Sequence, residues 1–318
     1  MSVEELPLPI DASPRLQALI SQPVPPLTSM PNTIEGWRKF QREEDAEATK
    51  ITRAAVEMVG ATVDLASIAG VPCFRVTPRQ VAAKNEGRLI FHVHGGAFVF
   101  NGGYAAVGEA ALIADAFKAC ALSVDYRRPP DHPFPAAPDD VLAVWKTVVG
   151  EHDAAKIAMA GTSAGGGLIM TTLLRFEEFD LPRPGAAFIG TPAADLTKTG
   201  DSTYLNAEVD HVLGRYEGRM EACLRLYAAS GDLKDPMLSP IYGDLSGFPP
   251  TILISGTRDL LLSSTIRTHR KLRTAGATAE LHVYEGQSHA DYLMSFPGPE
   301  SQDALGEIAQ FFDRHLRY

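Results

Sequence analysis

Ile157-Ala158-Met159-Ala160-Gly161-Thr162-Ser163-Ala164-Gly165-Gly166-Gly167 runs from an apolar strand pattern straight into a helical one, with a serine at the joint. Four consecutive apolar residues predict a buried strand over Ile157–Ala160, and the apolar run beyond the glycines predicts a helix over Gly165–Phe176. Glycines two residues to either side of Ser163 let the backbone turn tightly and let a neighbouring strand approach. A Gly-x-Ser-x-Gly in this strand-turn-helix setting is the pattern of a nucleophile elbow. It holds the serine hydroxyl at a helix N-terminus, where free amides and the helix dipole favour developing negative charge. No Gly-Lys-Ser/Thr closes the glycine run, so it does not read as a phosphate loop.

Outward from this joint, apolar strand runs alternate with helix-length segments. Strands are expected at Leu89–Val93, Ala121–Val124, Ala186–Ile189, Thr251–Ser255 and Ala279–Tyr284. Helices are expected at Ala105–Lys118, Pro138–Val149, Ser263–Ala275 and Asp303–Leu316. Such alternation implies crossover connections and hence an α/β fold with a mainly parallel sheet. Val63, Leu65 and Ile68, followed by Cys73, Phe74 and Val76, predict a hairpin-like start to the sheet. Residues 1–60 read as N-terminal helices: Ser13 caps one before Pro14, and a cap near Asn32 opens a segment in which Ile34, Trp37 and Phe40 recur at helical spacing. Residues 61–318 read as one catalytic domain. About 60 residues separate the strand ending near Gly190 from that starting near Thr251, far more than a connecting loop needs. Within them Val209, Leu213, Tyr216, Met220, Cys223 and Tyr227 predict an amphipathic helix, part of a cap inserted at about 197–235.

Composition narrows the function classes. The chain is 45% hydrophobic and 21% charged with a net charge of -10. There is no basic stripe to neutralise phosphates, which argues against nucleic acid and against an anionic membrane surface. The three cysteines, Cys73, Cys120 and Cys223, have neither disulfide-framework nor zinc spacing. The opening MSVEELPLPI lacks a basic n-region, and no apolar run approaches the roughly 20 residues that span a bilayer, so a cytoplasmic protein is expected.

A serine that attacks an acyl carbon needs donors already in place for the oxyanion. His94-Gly95-Gly96-Ala97 follows the strand Leu89–Val93, where lipases and esterases carry a His-Gly-Gly-Gly loop. The donors of such a loop are backbone amides, so alanine in the third glycine's place can still serve. The oxyanion hole is therefore expected from Gly95, Gly96, Ala97 and Ala164, with His94 bracing the loop. His92 and His94 share a strand face, but no further histidine or acid follows them, so no metal site is expected.

Three segments, HGGAF at His94–Phe98, DYRRPPDHPFPAAPDD at Asp125–Asp140 and GTSAGGG at Gly161–Gly167, resemble the hormone-sensitive-lipase-like carboxylesterases, also called bacterial family IV. The middle one departs from the family's usual Tyr-Arg-Leu-Ala-Pro-Glu-His-Pro-Phe-Pro-Ala-Ala run at Arg128, Pro129 and Asp131. The likeness spans roughly Phe91 to Asp291. It implies an α/β-hydrolase fold with an eight-stranded, mostly parallel sheet, helices on both faces, a cap built partly from the N-terminal helices, and no cofactor. In this fold the catalytic residues follow in the order Ser, acid, His. The family's acid position falls on Asp259, in Thr-Arg-Asp-Leu-Leu after the strand Thr251–Ser255, and its histidine on His289, in Gly-Gln-Ser-His after Ala279–Tyr284. Asp195 is the rival acid. His152, His211, His269 and His315 are expected on surfaces. The implied activity is hydrolysis of short-chain or small acyl esters through an acyl-enzyme, on a small-molecule ester; the sequence leaves the oligomeric state open, a homodimer among the options. Lactone hydrolysis uses the same triad and stays open, and the presence of Ser163, Asp259 and His289 disfavours a non-catalytic receptor on the same scaffold.

Overall fold

The computed structural model describes residues 6–318. Eight strands, β1 (Thr62–Ile68), β2 (Val71–Thr77), β3 (Leu89–Val93), β4 (Cys120–Val124), β5 (Ile157–Thr162), β6 (Ala186–Gly190), β7 (Thr251–Gly256) and β8 (Ala279–Tyr284), form one sheet in the order β1-β2-β4-β3-β5-β6-β7-β8. The β1–β2 and β2–β4 pairs are antiparallel and all others parallel, as the alternation of elements predicts. Helices are α1 (Pro14–Ile20), α2 (Ile34–Val59), α3 (Val107–Phe117), α4 (Ala136–Glu151), α5 (Ala164–Leu174), α6 (Ser202–Leu205), α7 (Glu221–Ala228), α8 (Leu262–Thr274), α9 (Asp291–Met294) and α10 (Pro299–His315).

Strand periodicity sorts the central residues onto two faces. Ile157 and Met159 of β5 join a core with residues of α4 and α5, while Ala158 and Ala160 join one with α3 and α10. Both faces are covered, which is why β5 reads as an unbroken apolar run and not an alternating one. Each fully buried Leu, Ile, Val or Phe contributes about 1.5–3 kcal/mol, and dozens of such residues hold β5 at the centre of the sheet. The strand ends that carry the site are fixed accordingly.

The cap expected near Asn32 is Thr33: its hydroxyl accepts from Gly36 N at 3.1 Å, and the helix then runs 26 residues to a left-handed Gly60. Only Trp37, Thr52, Val56 and Val59 of α2 are buried, so its later turns give a weak apolar signal. The single helix predicted over Val209–Tyr227 is broken. Asp210 accepts from the amides of Val212 and Leu213 at 2.9 and 3.0 Å, closing a local turn that competes with helix. Gly214 (φ +70°) and Gly218 (φ +87°) lie in the left-handed region, and helix resumes only at Glu221. The helical spacing holds only at the end of the series: Met220, Leu224 and Tyr227 reach the main core from α7 and the residue before it, whereas Tyr216 reaches it from the broken stretch upstream.

Trp37 and Phe40 of α2 pack with Val99 and Phe100, just beyond β3, and with Cys223 of α7. This cluster ties the N-terminal helix, the loop after β3 and the segment between β6 and β7 to one another. No helix among the described residues is long and apolar enough to cross a membrane.

Candidate active site

Ser163 sits between β5 and α5 with φ 61° and ψ -121°, a conformation that costs a non-glycine residue on the order of 1–3 kcal/mol. The surroundings impose it. Its N–H donates to Gly190 O at 2.8 Å, and its carbonyl accepts from Ala193 N and Gly167 N, both at 3.0 Å. The flanking glycines answer to close approach: a Cβ on Gly161 would lie 2.5 Å from Val93 O, and one on Gly165 would collide with Val93 O as well. As the first helical residue of α5, Ala164 has an amide with no acceptor inside the helix.

The loop after β3 folds against this turn. A Cβ on Gly95 would lie 2.9 Å from Thr162 O and 3.5 Å from Ser163 Cβ. Gly96 (φ +110°), Ala97 (φ +53°) and Phe98 (φ +64°) follow in left-handed backbone, and Gly96 O accepts from Val99 N and Phe100 N at 3.0 and 2.8 Å. The amides of Gly96 and Ala97 meet no acceptor among the described residues. Asp45 of α2 anchors the far end by accepting from Asn101 N at 2.6 Å while pairing with Arg128 at 3.0 Å. Arg128, one of the departures from the family run, also donates to Val99 O at 2.8 Å. His94 is buried and stacked on Tyr126 with ring centroids 4.1 Å apart, and Tyr126 OH donates to the His94 carbonyl at 2.9 Å. Burial, with Arg128 nearby, holds the His94 imidazole well below its usual pKa, so it is neutral.

Asp259 and His289 are brought together, with His289 Nδ1 3.1 Å from Asp259 Oδ1 and both residues buried. The carboxylate also accepts from Leu261 N and Ser255 Oγ, each at 2.8 Å, and from Thr191 Oγ1. Burial alone would raise the Asp259 pKa, but the charge of His289 and these donors outweigh it and hold it below the usual carboxylate range. Burial likewise opposes the imidazolium of His289, yet the adjacent Asp259 charge prevails and raises its pKa. Thr191 directly follows Gly190, whose carbonyl takes the Ser163 amide, so the end of β6 joins the serine turn to the Asp259–His289 pair. Ser163 Oγ and His289 share no direct hydrogen bond; such contacts are often long without substrate and tighten when it binds.

The alpha/beta hydrolase fold family matches residues 90–293. The chain belongs to it. Among solved structures this alpha/beta hydrolase is similar to esterase E25, at 46% identity and TM-score 0.95, covering 98% of this chain and 97% of that one. A hormone-sensitive lipase from a metagenome library matches at 25% identity and TM-score 0.75, over 91% of this chain and 100% of that one. An acetyl-hydrolase from Streptomyces hygroscopicus is 29% identical over 73% of this chain and 77% of its own length. The expected likeness to the hormone-sensitive-lipase-like carboxylesterases and the expected fold are borne out.

In this hydrolase the rival acid Asp195 is engaged elsewhere, pairing with Arg267 at 2.6 Å. His211 is not on the surface as expected: it is buried, with Nε2 2.9 Å from Asp291 Oδ1. His92 hydrogen-bonds Ser123 Oγ at 2.9 Å and Glu109 at 3.2 Å, so both ring nitrogens are committed within the protein. Sequence reasoning missed Glu109. Its carboxylate accepts from Thr162 Oγ1 at 2.5 Å, and Thr162 Oγ1 lies 2.7 Å from Tyr292 OH, so a buried polar chain runs beneath Ser163 toward the His289 loop. The only hint was an acid in the first turn of a helix, a common place for one.

Proposed function

We propose that this alpha/beta hydrolase is a serine carboxylesterase acting on small or short-chain acyl esters, with Ser163 as nucleophile, His289 as general base and Asp259 as its partner. One observation carries the reading: a serine in strained backbone at a helix N-terminus, joined through β6 to a buried His–Asp pair. The names of its relatives, esterase and acetyl-hydrolase, point the same way.

Ser163 Oγ attacks the ester carbon as His289 takes its proton. Asp259 accepts from Nδ1–H, fixing the tautomer that leaves Nε2 free as base, and stabilises the imidazolium formed. The oxyanion is received by the amides of Gly96, Ala97 and Ala164, with the absence of a Gly95 side chain letting the loop approach and neutral His94 bracing it. His289 returns the proton to the departing alcohol. Water, activated by the same histidine, then attacks the acyl-serine and releases the acid.

Chain length follows from the roof. Helix α2 and the segment at about 197–235 join the loop after β3 through Trp37, Phe100 and Cys223, and in this reading they roof the acyl pocket and set its length. Each CH₂ accommodated adds about 0.8 kcal/mol, whereas each carbon beyond the end displaces packed side chains at about 1–3 kcal/mol. A p-nitrophenyl ester series from acetate to palmitate, read as kcat/KM, is expected to peak at short chains; a maximum at about twelve carbons or more would refute the closed pocket. Ser163→Ala should abolish turnover and organophosphate labelling, leaving about 10³–10⁴-fold acceleration over water. A panel of lactones run beside the esters decides between the two substrate classes.

A further inference from the structure

We propose that Asp210 and His211, consecutive residues between α6 and α7, form a clamp that positions the Asp259 and His289 loops against each other. The proposal rests on the triad reading above. Asp210 is fully buried, and its Oδ2 accepts from Leu260 N at 2.8 Å, the amide next to Asp259. Its other oxygen is occupied by Val212 N and Leu213 N, so the turn that aims the carboxylate is the one the carboxylate closes. The next residue grips the second loop. His211 N donates to Ser288 Oγ at 3.2 Å, and His211 Nε2 meets both oxygens of Asp291 at 2.9 and 3.0 Å. Asp291 in turn accepts from Ser288 N at 2.7 Å, so His211 holds residues on both sides of His289.

A merely structural pair would need no such placement. Two loops from different strand ends must bring Asp259 Oδ1 to His289 Nδ1, and one dipeptide touches the neighbours of each. Asp210 also acts through charge. Burial and the nearby Asp259 push its pKa up to about 6, so near neutral pH it adds a negative charge facing His289, alongside those of Asp259 and Asp291. These charges favour the imidazolium that forms as Ser163 loses its proton.

The test compares Asp210→Asn, His211→Ala and His211→Gln on p-nitrophenyl acetate, with Ser163→Ala and thermal melting measured beside them. A misplacement of about 1 Å can cost about 10²-fold in rate, so Asp210→Asn and His211→Ala are expected to lose kcat on that scale while KM moves by less than about threefold. The asparagine amide cannot accept from both the Leu260 and the Val212–Leu213 side, and it carries no charge. The acid limb of kcat/KM should therefore move to lower pH in Asp210→Asn, a shift that loosened packing would not produce. The glutamine amide can still donate to Asp291, so His211→Gln should recover at least about tenfold of the kcat lost in His211→Ala. Folded variants with wild-type kcat and an unmoved limb overturn the clamp. If Asp210→Asn does not fold, the His211 variants decide, and glutamine no better than alanine overturns it. A dead Ser163→Ala beside fully active clamp variants refutes the clamp alone, whereas an active Ser163→Ala refutes the triad itself.

Discussion

Gly95→Ala adds one methyl group at the closest approach between the loop after β3 and the serine turn. The new Cβ would fall 2.9 Å from Thr162 O and 3.5 Å from Ser163 Cβ. An unstrained carbon–oxygen contact lies at about 3.3–3.6 Å, so the two segments must separate by roughly half an ångström. Gly95 does not occupy left-handed backbone, which leaves the steric contact as the main perturbation. Neither side yields readily, because the Ser163 backbone is held on Gly190 and Ala193 while the loop is tied to Asp45 and Arg128. The stability cost should be about 1–3 kcal/mol, as for other overpacked sites. The catalytic cost should be larger than that implies for binding. Oxyanion donors work at 2.7–3.1 Å, and losing one outright costs about 10²–10³ in kcat. A half-ångström retreat of Gly96 and Ala97 weakens two donors without removing them, which predicts a kcat loss of about 10- to 100-fold with little change in KM, since the ground-state carbonyl draws less on these donors. The assay is steady-state hydrolysis of p-nitrophenyl acetate, with melting recorded to show the variant folded. A folded Gly95→Ala enzyme within about threefold of wild-type kcat would refute the placement of the oxyanion hole in this loop.

Asp259→Asn should lower the rate by about 10⁴, while Asp195→Asn, which disturbs the contacts with Arg267, Thr197 and Tyr242 but not His289, should leave kcat within about twofold; the reverse ranking in a kinetic comparison would move the acid. Because the Asp259 charge raises the pKa of His289, and the imidazole must be neutral to act, kcat/KM should fall as pH drops through a value above the ordinary 6.5. A pH profile whose acid limb lies below 6, or persists in a His289→Ala enzyme, would show another group titrating. Gly306, inside α10 with open space where a Cβ would stand, should accept alanine with a gain of about 0.5–1 kcal/mol, seen as a melting temperature higher by roughly 1–4 °C at unchanged kcat.

The parts of the site legible in the sequence were those whose chemistry is local. Gly161, Ser163 and Gly165 announce a turn because glycine spacing and strand-to-helix apolarity lie within one short run. His94–Ala97 does so for the loop after β3, whereas Asp259 and His289 follow from the family resemblance, which gives the acid and histidine positions after β7 and β8. Residues whose meaning depends on distant partners were opaque. Asp210 and His211 look like a polar surface dipeptide, and nothing near them in the chain signals Leu260, Ser288 or Asp291 as their partners. Glu109 is 53 residues from Thr162 in the chain and in contact with it in space. The broken insertion was legible in principle. Gly214 and Gly218 interrupt the apolar series at one-turn spacing, and each weakens helix at its position, while short turns can carry the same apolar periodicity.

The aromatic cluster of Trp37, Phe40 and Phe100, with the Asp45 anchor beside it, bears on where this enzyme can be cut or recombined. The family match begins at residue 90, which invites treating the preceding segment as an exchangeable accessory. Yet Asp45 holds the amides of Asn101 and Gly102, and Gln41 donates to Val99 O. Part of the scaffolding that shapes the loop beside Ser163 is therefore encoded more than 40 residues upstream of it. A chimera that imports a foreign N-terminus should carry residues 30–60 and 94–131 from the same parent, because the crossover point respecting the catalytic architecture is not the one the family boundary marks.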